Sequence, residues 1–412
     1  VECGWWKEAC RASGTDFVSL PAPDAPGGNA HASDLSARLA SGAGLVAQAH
    51  EAGCGVILDN AGAGLAFVAG AGGDGDLRLA HEAANLPLVS HFIDPIPTSF
   101  AGLHWPAVWT CLSSLTWTKA VWDRAHAEEL KRFGVPNVVH LPMAAPNRRY
   151  RTEPLDPRAL EPVVSFVGGQ NSNYFSPDAA VATGDLFAGA LAHAVRGDLR
   201  AASFFDVYHE LYALAAPLAS DDDAATRAAK VAAYYKAKLF YHAQLNVRNR
   251  DRFVIFLKRT LGDGFRLIGR NWDRVYGLTT APPLPGGDAF FDHFRRVTIN
   301  INLVSGNAET GLNMRHFEIT AAGGFMLCYD QPELADHFEI GRECDVFHDE
   351  RELLQKVRFY LDHPGKAAEI ALAGQRRSLS SHLHSHRLAA ITRALTPATL
   401  AAAGRPVMEP VA

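Results

Sequence analysis

The sequence predicts an α/β protein made of two doubly wound units in tandem, each a mostly parallel sheet with helices on both faces. Three observations predict it. Short apolar runs alternate with amphipathic helical stretches, the pattern of parallel strands joined by crossover helices. The alternation halts at a polar, proline-bearing stretch, APNRRYRTEPLDPRALEP (145–162), and then restarts. The chain has 412 residues, more than one core ordinarily serves. The expected division is a first domain over 1–147 and a second over 160–385, with an Ala-rich helical insertion at about 177–247. A closing helix and tail are expected over 386–412.

Taken in order, WWKEACRASG (5–14) reads as a helix stopped by Gly14, and DFVSLP (16–21) as a strand. LSARLASGAGLVAQAHEAG (35–53) is helical and CGVILDN (54–60) a buried strand. DLRLAHEAAN (76–85) reads as helix, LPLVSHF (86–92) as strand and AVWTCLSS (107–114) as strand. TKAVWDRAHAEELKRFGV (118–135) is an amphipathic helix, and NVVHLPM (137–143) a strand. In the second half VVSFVGG (163–169) is a strand ending in glycines. RFVIFLKRTLG, FRLIG, AFFDHFRRV and TININLV then alternate helix and strand through 252–304. FMLCY (325–329) and ECDVFH (343–348) are strands, and ERELLQKVRFYLDH (350–363) is a helix. Ligands of such sheets bind outside the carboxyl ends of the strands, and two facing units enclose a cleft there.

Composition sets the broad class. With 48% hydrophobic and 20% charged residues, the chain reads as a soluble globular enzyme. A net charge of −5 argues against nucleic acid as partner. No apolar run reaches the length of a membrane span, and no signal-like apolar segment opens the chain, so a cytoplasmic location is expected. The chain opens VECGWW without a methionine, as a chain entered at the end of a strand would. Six scattered cysteines with no C-x-x-C pair predict free thiols and no zinc. The histidines form no metal pattern: His382 and His386 stand at i, i+4 with no carboxylate between them, so no metal site is assigned.

The stretch GLNMRHFEITAAGGFML (311–327) carries the chemistry. Asn313 suits a helix N-cap and Gly323 a C′ position, so a helix is predicted from about Met314 to Ala322. It follows a buried strand, which aims its N-terminus at the cleft. Free N–H groups there, with the helix dipole, make an anion site, and Arg315 adds a planar cation suited to phosphate. Glu318 shares a face with Met314 and Arg315 and can accept both hydroxyls of a ribose diol. Diphosphate at the tip and ribose one turn on outline a nucleoside diphosphate. The plainer expectation, an i, i+3 surface ion pair between Arg315 and Glu318, stands beside it.

At these residues the chain resembles the CgeB-like (spore-maturation-protein-like) group 1 glycosyltransferases. The resemblance runs through residues 290–377: the asparagine-rich strand TININ, then NMRHFEITAAGG, FEIGRE and YLDHP. VVSFVGG, RDRFVIFLKRTLGDGFRLIG, VSHFIDPIPT and LKRFGVPNVVHLPMA are similar to its other elements. The resemblance implies a GT-B fold, two Rossmann-like domains facing across a cleft. It also implies a nucleotide-sugar donor on the second domain, an acceptor on the first, and no cofactor or metal. The implied activity is transfer of a sugar to a protein, glycan or small-molecule acceptor. A nucleotide-sugar epimerase of the same architecture and a non-catalytic binding relative are the alternatives.

Carried over, Asn313, Met314, Arg315 and Glu318 become donor-binding residues, and Gly168 and Gly169 let backbone approach the donor. Two features depart from the group 1 pattern. Its paired glutamates stand with seven residues between them, which would put the partner of Glu318 at Thr310, while Glu309 lies one residue further. The basic residues expected after the glycine strand are replaced by GGQNSNYFSP, so Arg270, or the cluster Arg248, Arg250 and Arg252, is the substitute.

In the first domain VSHFIDPIPT ends a strand with His91 and Asp94 on an expected loop facing the cleft. Either is placed to take a proton from an acceptor hydroxyl. Asp94 as a turn-capping residue and His91 as a core histidine are the structural expectations. His104 and His140 are further candidates, and Trp105 offers a stacking surface for a sugar.

Overall fold

The computed structural model describes residues 4–19, 44–60, 68–71, 77–96, 111–170 and 247–395, with isolated positions between 223 and 246 and residue 400. His104, Trp105, most of 177–247 and the tail beyond 400 lie outside them. The chain forms two compact units. The first comprises Val1–Pro142 with Tyr212–Tyr235 and His384–Ala412, and the second comprises Met143–Leu211 with Lys236–Leu383. Both are α/β, and the main sheet of each is wholly parallel.

The first unit begins with helix α1 (Gly4–Ser13). Its strands are β1 (Ile57–Asn60), β2 (Val68–Ala71), β3 (Leu77–Leu79), β4 (Leu88–Phe92), β5 (Trp117–Val121) and β6 (Val138–His140), with helices α2 (Ala80–Ala83) and α3 (Arg124–Arg132). The main sheet has the order β1-β4-β5-β6, and β2 and β3 form a separate antiparallel pair. Asp123 starts α3 by accepting from the N–H groups of Ala125 at 2.9 Å and His126 at 3.3 Å. One face of the sheet packs Val89, Ala120 and Leu141 against Trp6 and Ala9 of α1 and Ile391 of the closing helix, His384–Ala394.

Three expectations for this unit are corrected. Residues 15–19 carry no strand; of the strand expected at 107–114, residues 107–110 lie outside the described residues and Cys111 and Leu112 are helical, with β5 at Trp117–Val121. Lys119 disguised that strand, because its side chain is buried with Nζ donating to the carbonyls of Ser114 at 2.8 Å and Pro136 at 3.1 Å. Leu77–Leu79, expected as helix, pairs with β2 before α2 begins.

The second unit contains β7 (Glu161–Val167), α4 (Arg252–Leu261), β8 (Phe265–Ile268), α5 (Trp272–Tyr276), α6 (Asp288–Arg296) and β9 (Val297–Asn302). It continues with α7 (Met314–Ala322), β10 (Met326–Tyr329), α8 (Leu334–His337), β11 (Asp345–Phe347), α9 (Glu350–Asp362) and α10 (Pro364–Ser381). The sheet order is β11-β10-β9-β7-β8. Every residue of the central strand β9 is buried. Its apolar positions Ile299 and Ile301 join the core with Phe166, Leu267 and Leu327. Its polar side chains bond internally: Asn300 donates to the carbonyls of Phe294 at 2.8 Å and Phe325 at 3.2 Å, leaving its Oδ1 buried without a partner, and Thr298 donates to that of Glu161 at 2.7 Å. Helix α7 spans the predicted Met314–Ala322, and Gly323 ends it with φ 83°. The described cysteines (10, 54, 111, 328 and 344) are free thiols. Among the described residues no helix is long and apolar enough to cross a membrane.

Just past α7 the chain presses on α6. A β-carbon at Gly324 would lie 2.5 Å from the Phe294 carbonyl oxygen and 2.8 Å from Asn300 Nδ2. Gly324→Ala is therefore expected to destabilise the fold by about 1–3 kcal/mol, the usual effect of overpacking a tight site. Denaturant unfolding checks it, and an unchanged midpoint would mean that the backbone yields there.

Candidate functional site

In the second unit the carboxyl ends of β7, β8 and β9 converge. Gly168–Gln170 leave β7 and run beside the exit of β8: Gly168 N–H donates to the Ile268 carbonyl and Gln170 N–H to that of Arg270, both at 2.8 Å. Trp272, at the start of α5, donates Nε1–H to the Gly168 carbonyl at 2.7 Å. Asn271, in the left-handed conformation with φ 68°, donates Nδ2–H to the Gln170 carbonyl at 3.2 Å. Gly168 sits in close quarters where β7 ends. A β-carbon on Gly168 would stand 3.0 Å from both the Phe166 ring and a nitrogen of the Arg250 guanidinium.

Arg250 is the centre of this convergence. It lies in a π-turn, Val247–Asp251, just before α4, a local distortion frequent at functional positions. Nη1 donates to Ser305 Oγ at 3.0 Å, and Nη2 donates to the Gly169 carbonyl. The guanidinium sits over the rings of Phe166 and Trp272, 5.6 and 5.9 Å from their centroids. Nε is buried without a partner. Burial pushes the Arg250 pKa down to about 10, Asp251 opposes the shift, and the charge of Arg315 adds to it. Asp251 is itself fully buried. Its Oδ2 accepts from Gln170 Nε2 at 2.9 Å and Tyr276 Oη at 2.7 Å, and its Oδ1 is unpartnered.

Helix α7 contributes its N-terminus. Asn313 is the N-cap, but its side chain does not cap the first turn. It turns back, donating Nδ2–H to the Leu303 carbonyl at 3.2 Å and placing Oδ1 2.9 Å from His316 Nδ1. The first turn is left without a side-chain cap and without an acidic residue, the electrostatic condition for an anion. His316 is fully buried, and burial pushes its pKa down to about 3. Arg315 and Glu318 form the i, i+3 ion pair, Nη1 to Oε2 at 2.5 Å. The pair is not a surface one. Glu318 is 9% exposed, and Arg315 lies over the Phe290 and Phe294 rings of α6 at 4.7 and 5.3 Å. Burial raises the Glu318 pKa, and Arg315 opposes the rise.

The sequence-predicted residues thus divide. Gly168, Gly169, Asn313, Met314, Arg315 and Glu318 stand where the strands and α7 meet. Arg270 follows β8 with its side chain exposed, and its carbonyl serves Gln170. Of the three arginines offered as substitutes, Arg250 holds the site. Arg252 pairs with Glu350 at 3.3 Å, and the Arg248 side chain lies outside the described residues. Sequence reasoning missed Gln170, Asp251, Trp272 and Ser305. Their partners are remote in sequence, and only the glycines gave a signal nearby.

In the first unit His91 is inside β4, as the strand reading of 86–92 and the core-histidine expectation have it. It is 1% exposed, with Nε2 bonded to the Leu141 carbonyl at 3.1 Å and its ring edge-on to Trp6. Burial pushes its pKa down to about 3. The Leu141 carbonyl opposes this, and His384 and Arg387 add to it. The pleat explains its burial, since His91 falls on the face that packs against α1. Asp94 stands past the strand end and is half-buried.

Elsewhere in the second unit, a cavity of about 370 Å³ lies by the amino ends of the strands, lined by Arg151, Asp156, Asp292, Arg295 and Arg296. Its arginines are engaged: Arg296 pairs with Glu161 at 2.5 Å, and Arg295 donates to the Arg151 carbonyl at 3.2 Å. The strand carboxyl ends remain the better site.

Residues 248–393 match the model of a family described as glycosyl transferase-like. No curated protein matches the chain. Among solved structures, the chain is similar to Alr3699/HepE of Anabaena in complex with UDP, at 14% identity over 86% of this chain and 82% of that one, with a TM-score of 0.43. Sucrose-phosphate synthase of Thermosynechococcus elongatus matches at 10% identity over 88% and 78%, with a TM-score of 0.44. A glycosyltransferase of Rickettsia africae matches at 9% over 94% and 86%, with a TM-score of 0.42. None of these scores reaches 0.5, and what those proteins bind is a property of theirs.

The buried His91 gives a pH prediction. Between its ordinary value of 6.5 and about 3 the unfolded chain binds a proton that the folded chain refuses. Stability therefore falls as pH drops through that window, by up to about 1.4 kcal/mol per pH unit for this one group. In His91→Gln the dependence of unfolding free energy on pH between 6 and 4 is expected to be shallower by about that slope. Equal slopes in urea melts would mean that the ring is protonated in the fold.

Proposed function

We propose that the chain is a glycosyltransferase. It moves a sugar from a nucleotide-diphosphate donor, bound at the carboxyl ends of the second unit's strands, to a protein, glycan or small-molecule acceptor. One observation carries the reading: the first turn of α7 has no side-chain cap and no acidic residue and carries Arg315, whose charge is unfavourable to that of the buried Arg250. An anion relieves that repulsion and meets the free N–H groups at the same time. The match of residues 248–393 to a glycosyl transferase-like family supports the same reading.

In this scheme Gly168 and Gly169 admit the donor close to backbone, and the N-terminal turn at Asn313–Arg315 holds the diphosphate. Glu318 accepts from the ribose hydroxyls, and Arg270 adds charge at the rim. The acceptor oxygen attacks the anomeric carbon and the bond from that carbon to the diphosphate oxygen breaks. Arginine and helix N-terminus stabilise the departing charge, so no metal is called on. Asp94 takes the acceptor's proton. His91, bonded within β4, supports the strand end from which Asp94 projects.

Glu318→Gln is expected to weaken nucleoside diphosphate binding by about 1.5–3 kcal/mol, the range for hydrogen bonds to a charged group, and to reduce discrimination between ribo and deoxyribo forms. Arg315→Ala should harm diphosphate binding more than monophosphate binding, with an effect that shrinks in salt. Calorimetric titration of UDP, GDP, dTDP and CDP, with their monophosphates and nucleosides, checks both. Equal affinities in wild type and variants would reduce the pair to a structural role.

Asp94→Asn should lower transfer about 10²–10⁴-fold, the usual loss on removing a general base, and leave nucleotide affinity intact. Transfer is expected to persist in EDTA. Donor-panel assays followed by mass spectrometry decide the reaction class: a changed sugar still attached to nucleotide would make the protein an epimerase, and binding without turnover a non-catalytic relative.

A further inference from the structure

Lys238, His242, Asn246 and Arg250 recur at every fourth position. The first three are helical and the last lies in the π-turn, so the spacing places them along one side. All four reach the same short loop, residues 305–309, between β9 and α7. Lys238 Nζ is 2.9 Å and His242 Nε2 3.0 Å from the same oxygen of Glu309. Asn246 Oδ1 accepts from Gly306 N–H at 3.2 Å, and Arg250 Nη1 donates to Ser305 Oγ at 3.0 Å. The backbones touch at Gly306, where a β-carbon would overlap the His242 carbonyl oxygen and lie 2.5 Å from Asn246 N. The Lys238 and Glu309 side chains are each 1% exposed. A buried ion pair adds little net stability against apolar residues of the same volume, but it fixes one geometry, and loss of one partner strands the other charge.

We propose that Lys238, His242 and Glu309 are positioning residues, a polar clasp that locks loop 305–309. The lock keeps Ser305 on Arg250 and sets the first turn of α7, which follows a few residues on, in register for a diphosphate. Glu309, which the sequence offers as a displaced member of a glutamate pair, is in this reading an anchor and not a sugar ligand. The inference rests on the nucleotide site proposed above. It adds that side chains from the segment before α4, which do not touch the donor, govern its affinity.

The test compares wild type with Lys238→Met, Lys238→Arg, His242→Phe and Glu309→Gln. Amide hydrogen exchange is followed at 305–309 without ligand, and binding of UDP, GDP, CDP and dTDP is compared with that of their nucleosides. The clasp predicts faster exchange in the loop for the Met, Phe and Gln variants. It also predicts about a tenfold or greater loss of diphosphate affinity with nucleoside affinity within twofold, since a displaced anchor misplaces the phosphate end. Lys238→Arg should restore both. Folded variants with unchanged exchange and an unchanged diphosphate-to-nucleoside ratio would overturn the inference, as would equal loss of both ligands. So would a Glu309→Gln variant that loses only sugar-bearing donors while exchange stays slow, because the carboxylate would then contact the sugar. If Glu309→Gln does not fold, His242→Phe, which removes one of the two contacts and keeps a ring, decides by the same readouts. If wild type binds no nucleotide, the proposed site fails, and loop exchange alone still decides the clasp.

Discussion

A guanidinium removed from water must be surrounded by acceptors, and the second unit is arranged around meeting that demand for Arg250. Its charge is met by a backbone carbonyl from the end of β7, a hydroxyl from the loop after β9, and two aromatic faces. Asp251, next in sequence, opposes the desolvation electrostatically and is held by Gln170 and Tyr276. The exits of β7, β8 and β9 are thereby tied to one cation. Displacing it would free the Gly169 carbonyl and Ser305 together and leave buried polar groups without partners. The glycine at 168 follows from the same constraint, because the arginine and the Phe166 ring crowd the space where a β-carbon would be.

Helix α7 then stands against this fixed platform. Its N-cap asparagine serves β9 and the His316 ring and not its own first turn. Arg315 is held by Glu318 and two phenylalanines, so its side chain is ordered before any ligand arrives. Preorganisation of this kind lowers the entropic cost of binding. Burial raises the Glu318 pKa, and only the adjacent arginine offsets that effect. The pair is thus both an intrahelical contact and the element of charge nearest the helix tip, and it is buried where the plainer sequence expectation put it at the surface.

The first unit answers to a different constraint. Lys119 and His91 both point into its interior, each satisfied by backbone carbonyls, and both are pushed toward their neutral forms by burial. The Lys119 pKa falls to about 7, with Glu82 opposing the shift. Buried groups of this kind give a sheet a unique register, because a one-residue slip would turn them to the other face and leave their carbonyls unmet.

By itself the sequence determined the succession of strands and longer helices in the second unit, without the short α5 and α8, the limits of α7, and the candidate residues at its tip. Those features are written in local chemistry: apolar period, a capping asparagine, a glycine able to adopt positive φ. It determined less in the first unit, where a buried lysine hid β5 and an apolar run passed for a strand. It also named Arg250 only as one of three, since three arginines within five residues look alike until one of them is surrounded. The tertiary structure decided that choice, fixed His91 as a buried, hydrogen-bonded histidine of the sheet, and joined Glu309 to Lys238 and His242. Arg250 and its carbonyl partner are 81 residues apart, and His242 and Glu309 are 67 apart. Contacts over such separations leave no periodic trace in the chain, because they depend on which strand ends the fold brings side by side.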